Sequence, residues 1–117
     1  MAHYTKATAS LRVLRGLIAS SLRRYEVAAT DLQHLASLDF QTAVTLTKVD
    51  ASELAVTTVM SAMRACGLAG YRNDGEFAIG RLLRDVLSSP IMINNDRILA
   101  NLSTSTILSD VPSSIRD

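Results

Sequence analysis

The sequence predicts an all-α domain, an antiparallel four-helix bundle of up-down connectivity, from three observations. Apolar residues recur at spacings of three and four along most of the chain, which is the period of a helix with one inward face. No Gly or Pro lies between Asp31 and Gly67, and elsewhere these helix-stopping residues mostly fall between the periodic stretches. Aromatic residues make up only 4% and Trp is absent, so the core must be Ala, Leu, Val and Ile, a composition suited to closely packed helices. Strict apolar-polar alternation, the mark of a half-buried strand, is missing.

The first helix covers about residues 5–28, with Leu11, Leu14, Ile18, Leu22 and Tyr25 as its inward stripe. Arg12, Arg15, Arg23 and Arg24 lie mostly off that stripe and read as a solvated face. Thr30-Asp31 breaks the pattern, and Asp31 is placed to cap the next helical segment. Leu35-Ala36-Ser37-Leu38 belongs either to the first turns of the next helix or to a short one of its own. The second long helix then runs to Cys66. Its expected face is Phe40, Val44, Thr47, Ala51, Leu54, Thr58, Ala62 and Ala65, widened by Ala43, Ala55, Val59 and Cys66. Gly67 stops it.

Asn73-Asp74-Gly75 signals a turn, with Asp74 as a cap for a third helix lined by Phe77, Ile79, Leu83, Val86 and Leu87. Pro90 either kinks that helix or opens a new one at its first position. Asn94-Asn95-Asp96 is a second turn or cap, and Ile98, Leu102 and Ile107 mark a last short helix. Residues 1–109 thus form one helical domain, and 110–117 a polar, loose tail. Four helical units with mostly short connections favour the up-down bundle.

Composition removes several function classes. The net charge of +1 gives no long-range field for nucleic acid or anionic lipid. A single cysteine, Cys66, excludes an internal disulfide framework and a cysteine-based zinc site, and points to a reduced, cytoplasmic setting. No apolar run approaches the ~20 residues of a membrane span, and the first ten residues lack a hydrophobic signal core. His3 and His34 are far apart and read as surface residues rather than metal ligands. Cys66 falls at a helix C-terminus, whose dipole opposes a thiolate, and reads as a buried, inert thiol.

Two stretches are candidates for chemistry. Gly67-Leu68-Ala69-Gly70-Tyr71 is open to two readings: a backbone platform against a phosphate or ring, or a helix stop followed by a tight turn. Asp96 is either a weak candidate for a general base or a helix N-cap, and the cap is the preferred reading.

The order of these parts, from the small-residue helix through the glycine turn to Arg84-Asp85 on an amphipathic helix and a second turn, resembles the end of the C-terminal helical domain of the acyl-CoA dehydrogenase family. The similarity is strongest from Asp50 to Leu102. It implies that Gly67, Gly70 and Tyr71 lie against the FAD of a neighbouring subunit. Arg64 falls where many members place a flavin-contacting Gln, and Cys66 stands in a usual glycine position. Arg84-Asp85 is expected to be structural. Where many members carry the catalytic Glu, this chain has Ile93-Asn94-Asn95-Asp96, and Asn is no general base at neutral pH. The base then comes from a part of the enzyme outside this chain, or from Asp96, or is absent.

The resemblance further implies a flavoenzyme that dehydrogenates Cα–Cβ of an acyl-CoA or acyl-carrier thioester and works as a homo-oligomer joined through its helical bundles. This chain corresponds to a fraction of such an enzyme, without its N-terminal helical domain, its β-domain or the first helix of the bundle. No turnover and little flavin are expected from it alone. Two other readings stand beside this one: a stand-alone helical oligomerisation or interaction module without catalysis, and part of a flavin-dependent monooxygenase relative of the same fold.

Overall fold

The computed structural model of the chain describes residues 1–71, 75, 78–92 and 94–112. All regular structure among them is helical: α1 (Ala2–Ala28), α2 (Leu32–Leu35), α3 (Leu38–Cys66), α4 (Leu68–Tyr71), α5 (Gly80–Met92), α6 (Asn95–Asn101) and α7 (Ser103–Leu108). The expected turn at Asn73-Asp74 and the side chain of Phe77 lie outside the described residues, as does most of the tail.

Local chemistry sets the boundaries. The Asp31 carboxylate accepts from the Gln33 amide at 2.9 Å and so caps the short α2, not the long helix. The cap of α3 is Ser37, whose Oγ accepts from the Phe40 amide at 3.2 Å and donates to the His34 carbonyl at 2.7 Å. Gln41 reaches back to the Leu35 carbonyl at 2.7 Å and pins the corner. The many threonines of α3 do not break it, because Thr45, Thr47 and Thr58 donate to carbonyls one turn back. Gly67 ends the helix with φ +61° and ψ −140°, a conformation open in practice only to glycine.

α3 is the hub. α1 and α5 both pack along it, and α4, α6 and α7 touch it as well. α1 is antiparallel to α3: Ser21 Oγ meets Thr47 Oγ1 at 3.1 Å, while Val13 and Leu17 share a groove with Leu54 and Thr57 further along. α5 also runs antiparallel to α3, from Ile79 near Met63 and Cys66 to the Ser89 carbonyl at Lys48. Pro90 sits inside the last turn of α5 rather than opening a new helix. α6 and α7 lead back toward the start of α3, where the Asp110 amide donates to Asp39 at 3.2 Å. The expected single last helix is divided at Leu102, whose carbonyl accepts the hydroxyls of both Ser105 and Thr106.

The inward face of α1 differs from the expected stripe. Ser10 and Ala28 are buried, and Leu14, Leu17, Ser21 and Arg24 are half-buried between them. Leu11, Ile18, Leu22 and Tyr25 are instead 43–55% exposed. Two parallel rows with alternating spacings of three and four run along this helix, and α3 takes the one with smaller side chains. Ser10, Ser21 and Ala28 leave room for the neighbouring helix on that side. On α3 the expected face lies half-buried, except for buried Phe40 and exposed Val44 and Ala65, while Thr42, Val49, Ser52 and Met63 are buried too. Periodicity alone identifies one face, and a hub has two.

The result is slender. Its radius of gyration is 17.0 Å, against about 13 Å for a compact chain of roughly 100 residues. The buried apolar side chains among the described residues are Ala28, Phe40, Val49 and Met63. Small polar residues are enclosed beside them, Ser10, Thr42, Ser52 and Ser61. Ala28→Leu is expected to cost about 1–3 kcal/mol by overpacking, whereas Ile18→Ser stays within about 0.5 kcal/mol of the parent. Urea denaturation of the two variants checks the contrast; a larger loss at Ile18 would contradict the assignment of the inner face.

Candidate functional site

The glycine turn stands at the C-terminal end of α3. Gly67 is exposed, and a side chain built on it would meet no atom within 4 Å, so its backbone faces open space. Arg64, in the last turn of α3, is exposed beside it. Gly70 is different. A Cβ there would stand 2.9 Å from Met63 Sδ, 3.2 Å from Cys66 Cβ and 3.4 Å from Ile79 Cγ1. Gly70 is thus buried by its own chain, and its carbonyl accepts from the Ile79 amide at 3.0 Å, joining the two ends of the segment between α4 and α5. Gly67 offers surface to a ligand, while Gly70 shapes the turn from behind. Tyr71 closes α4, and its side chain lies outside the described part of the structure. Cys66 is half-buried, more accessible than the inert core thiol expected for it.

The second candidate region is the corner between α5 and α6. Asn94 caps α6, its Oδ1 accepting from the amides of Asp96 at 2.9 Å and Arg97 at 3.2 Å. The cap is therefore Asn94, two residues before the expected Asp96. Asp96 is exposed in the first turn, where a carboxylate complements the helix dipole. Asn95 is the residue that the sequence alone does not single out. It is 5% exposed, accepts from Lys48 Nζ at 2.6 Å and donates to Ser52 Oγ at 2.8 Å. Ser52 in turn donates to the Val49 carbonyl at 2.9 Å, and Lys48 also donates to the Ser89 carbonyl at 3.1 Å. A chain of donors and acceptors thus bolts the corner to the middle of α3. No local pattern announces it, because Lys48 and Asn95 are distant in sequence.

The two regions do not meet within one chain. Asn95 binds Ser52, and residues 52 to 67 of a helix with 1.5 Å rise span roughly 22 Å. Asp96 cannot act on a group held at Gly67 of the same chain. Arg84 and Asp85 are both exposed on α5. His3 and His34 are exposed as expected, His34 standing edge-on to Phe40 with ring centroids 5.9 Å apart. Among the described residues no group of His, Cys, Asp and Glu is placed to hold a metal ion. No helix among them is long and apolar enough to cross a membrane. An open cleft of about 580 Å³ lies between the end of α1 and the start of α3, bordered by Arg23, His34, Phe40 and Asp110.

A family model described as acyl-CoA dehydrogenase, C-terminal domain, matches residues 3–106. No curated protein and no solved structure matches the chain significantly.

Two outcomes test this geometry. Gly67→Ala is expected to lose about 1–3 kcal/mol, the range for a non-glycine residue in this backbone region, read by the urea midpoint. Asn95→Ala and Lys48→Met are each expected to cost about 1.5–3 kcal/mol, the scale of a hydrogen bond to a charged group. Their double variant should lose clearly less than the sum, because both break one network; strict additivity would show that the two side chains act independently.

Proposed function

The chain belongs to the acyl-CoA dehydrogenase family, matching its C-terminal domain over residues 3–106, and from this we propose that it is the helical C-terminal part of a flavoenzyme that dehydrogenates acyl thioesters. In that enzyme the domain works as a four-helix up-down bundle, with α6 and α7 together as the fourth member. The enzyme is a cytoplasmic homo-oligomer joined through such bundles, and its substrate is an acyl-CoA or acyl-carrier thioester. FAD, when bound, accepts the hydride leaving the substrate carbon next but one to the thioester carbonyl.

The observation that carries this reading is the family match together with the open Gly67. The backbone at Gly67 and the guanidinium of Arg64 can hold the cofactor's edge, since both are exposed and no side chain among the described residues stands over Gly67. Gly70 supports that surface by closing the turn against Met63. Tyr71 completes the set by its place in the sequence. The roughly 22 Å between turn and corner suits an enzyme in which the turn of one subunit serves a flavin of its neighbour.

The proton-abstracting carboxylate is proposed to come from outside this chain. Asn94 and Asn95 occupy the corner in capping and structural hydrogen bonds, and Asp96 points to solvent from the first turn of α6 as an exposed residue. The same commitment of the corner favours a second reading, a helical module that assembles without chemistry.

The isolated chain is expected to bind less than one equivalent of FAD and to show no dehydrogenation of an acyl-CoA with an artificial electron acceptor. Mixed with the separately produced remainder of an acyl-CoA dehydrogenase, it should restore flavin retention, and Arg64→Glu, at an exposed helical position, should weaken that gain while leaving the two parts associated. Equilibrium dialysis and sedimentation read both. Association without any flavin gain would favour the non-catalytic module; stoichiometric FAD and turnover by the chain alone would overturn the proposal.

A further inference from the structure

α1 carries a second helix-packing row that α3 does not use. Tyr4, Leu11, Ile18 and Tyr25 recur every seven residues, with Arg15 and Leu22 in the alternate positions between them. The four apolar heptad residues are 60%, 43%, 51% and 54% exposed, and Leu22 is 55% exposed. A spacing of four and three held from Leu11 to Tyr25, in a heptad row that begins at Tyr4, is the pattern of a knobs-into-holes seam along roughly 32 Å. A seam of that period matches another helix, since a strand or an irregular segment has no side chains at the matching intervals.

Charge identifies what kind of helix. Arg15 lies in the row itself and Arg12 beside it, both exposed, at the middle of α1. Glu26, the acidic residue on that flank, is far from them near the C-terminal end. A second copy of α1 is a poor occupant. Laid parallel, or antiparallel about the midpoint of the row, it brings Arg15 against its own counterpart, and like charges in contact across an interface are costly. A helix with carboxylates opposite Arg12 and Arg15 meets no such cost.

We propose that this row of α1 docks an acidic amphipathic helix of another protein chain, its apolar heptad face against Leu11, Ile18 and Leu22 and its carboxylates at Arg12 and Arg15. The proposal rests on the exposed row and its charge, so flavin binding and turnover do not bear on it.

The probe is a synthetic four-heptad helix with Leu at the seam positions and Glu opposite the arginines, compared with the same peptide bearing Lys there. Each is labelled and titrated with the full 117-residue chain, with fluorescence anisotropy as readout. The Glu peptide is expected to bind, and the Lys peptide to bind at least about tenfold more weakly. Arg12→Glu with Arg15→Glu should reverse that preference, a change that mere stickiness of an apolar face would not produce. Ile18→Asp should abolish binding of both peptides with the circular dichroism of the chain unchanged. Equal binding of the two peptides, binding of neither, or a dimer of the chain that Ile18→Asp turns into monomers would overturn the proposal.

Discussion

Everything in this molecule depends on α3 being covered from two sides by helices that have no substantial contact with each other. A helix so placed cannot be amphipathic in the ordinary sense, because apolar contact is needed over most of its circumference. The sequence meets that demand with small and hydroxyl-bearing residues. Ser, Thr and Ala line both interfaces, and the hydroxyls of Thr45, Thr47 and Thr58 are returned to the backbone of their own helix, whereas the buried Thr42 Oγ1 has no hydrogen-bond partner among the described residues. This choice also explains the thin core. Few large side chains are enclosed, and contact area comes from the length of the helices instead.

The C-terminal end and the middle of α3 are handled by different means. At the C-terminal end glycine does the work, once by adopting a backbone angle that side chains resist and once by leaving room for Met63 and Ile79. Near the middle a buried polar chain from Lys48 through Asn95 to Ser52 fixes the corner. A polar bolt is directional where an apolar contact is not, so it sets one register of α6 on α3. At this corner Asn94 and Asn95 are both committed to holding the fold.

The helices themselves are legible in the sequence. The long apolar periods, the stop at Gly67 and the end of the first helix near residue 28 are set by spacing and by glycine chemistry, and all are present. Which face of each helix turns inward is less so. On α1 two rows of equal period compete, and only the neighbour decides between them; the larger side chains give the stronger signal and take the outer position. Of the candidate site, the exposed Gly67 can be read from local pattern. The burial of Gly70 cannot, since it depends on Met63 and Ile79 arriving from either side. The role of Asn95 is hidden for the same reason, its partners being contributed by a different helix. Ser37 as the cap of α3 escapes notice although Ser before Phe40 and Gln41 is a local signal, because Asp31 offers an earlier one.

Because α3 is the shared spine, the molecule has a built-in order of disassembly. The α1–α3 hairpin is joined along nearly its whole length and closed at its corner by Gln41, while the arm formed by α5 to α7 is held by the Asn95 bolt and the Gly70 closure. Losing that arm leaves the hairpin's own contacts intact. The arm is then a separate cooperative unit whose opening free energy lies below that of the whole. Amides of α5 and α6 exchange with solvent through that smaller opening, and those in the middle of α3 exchange only when the hairpin itself comes apart.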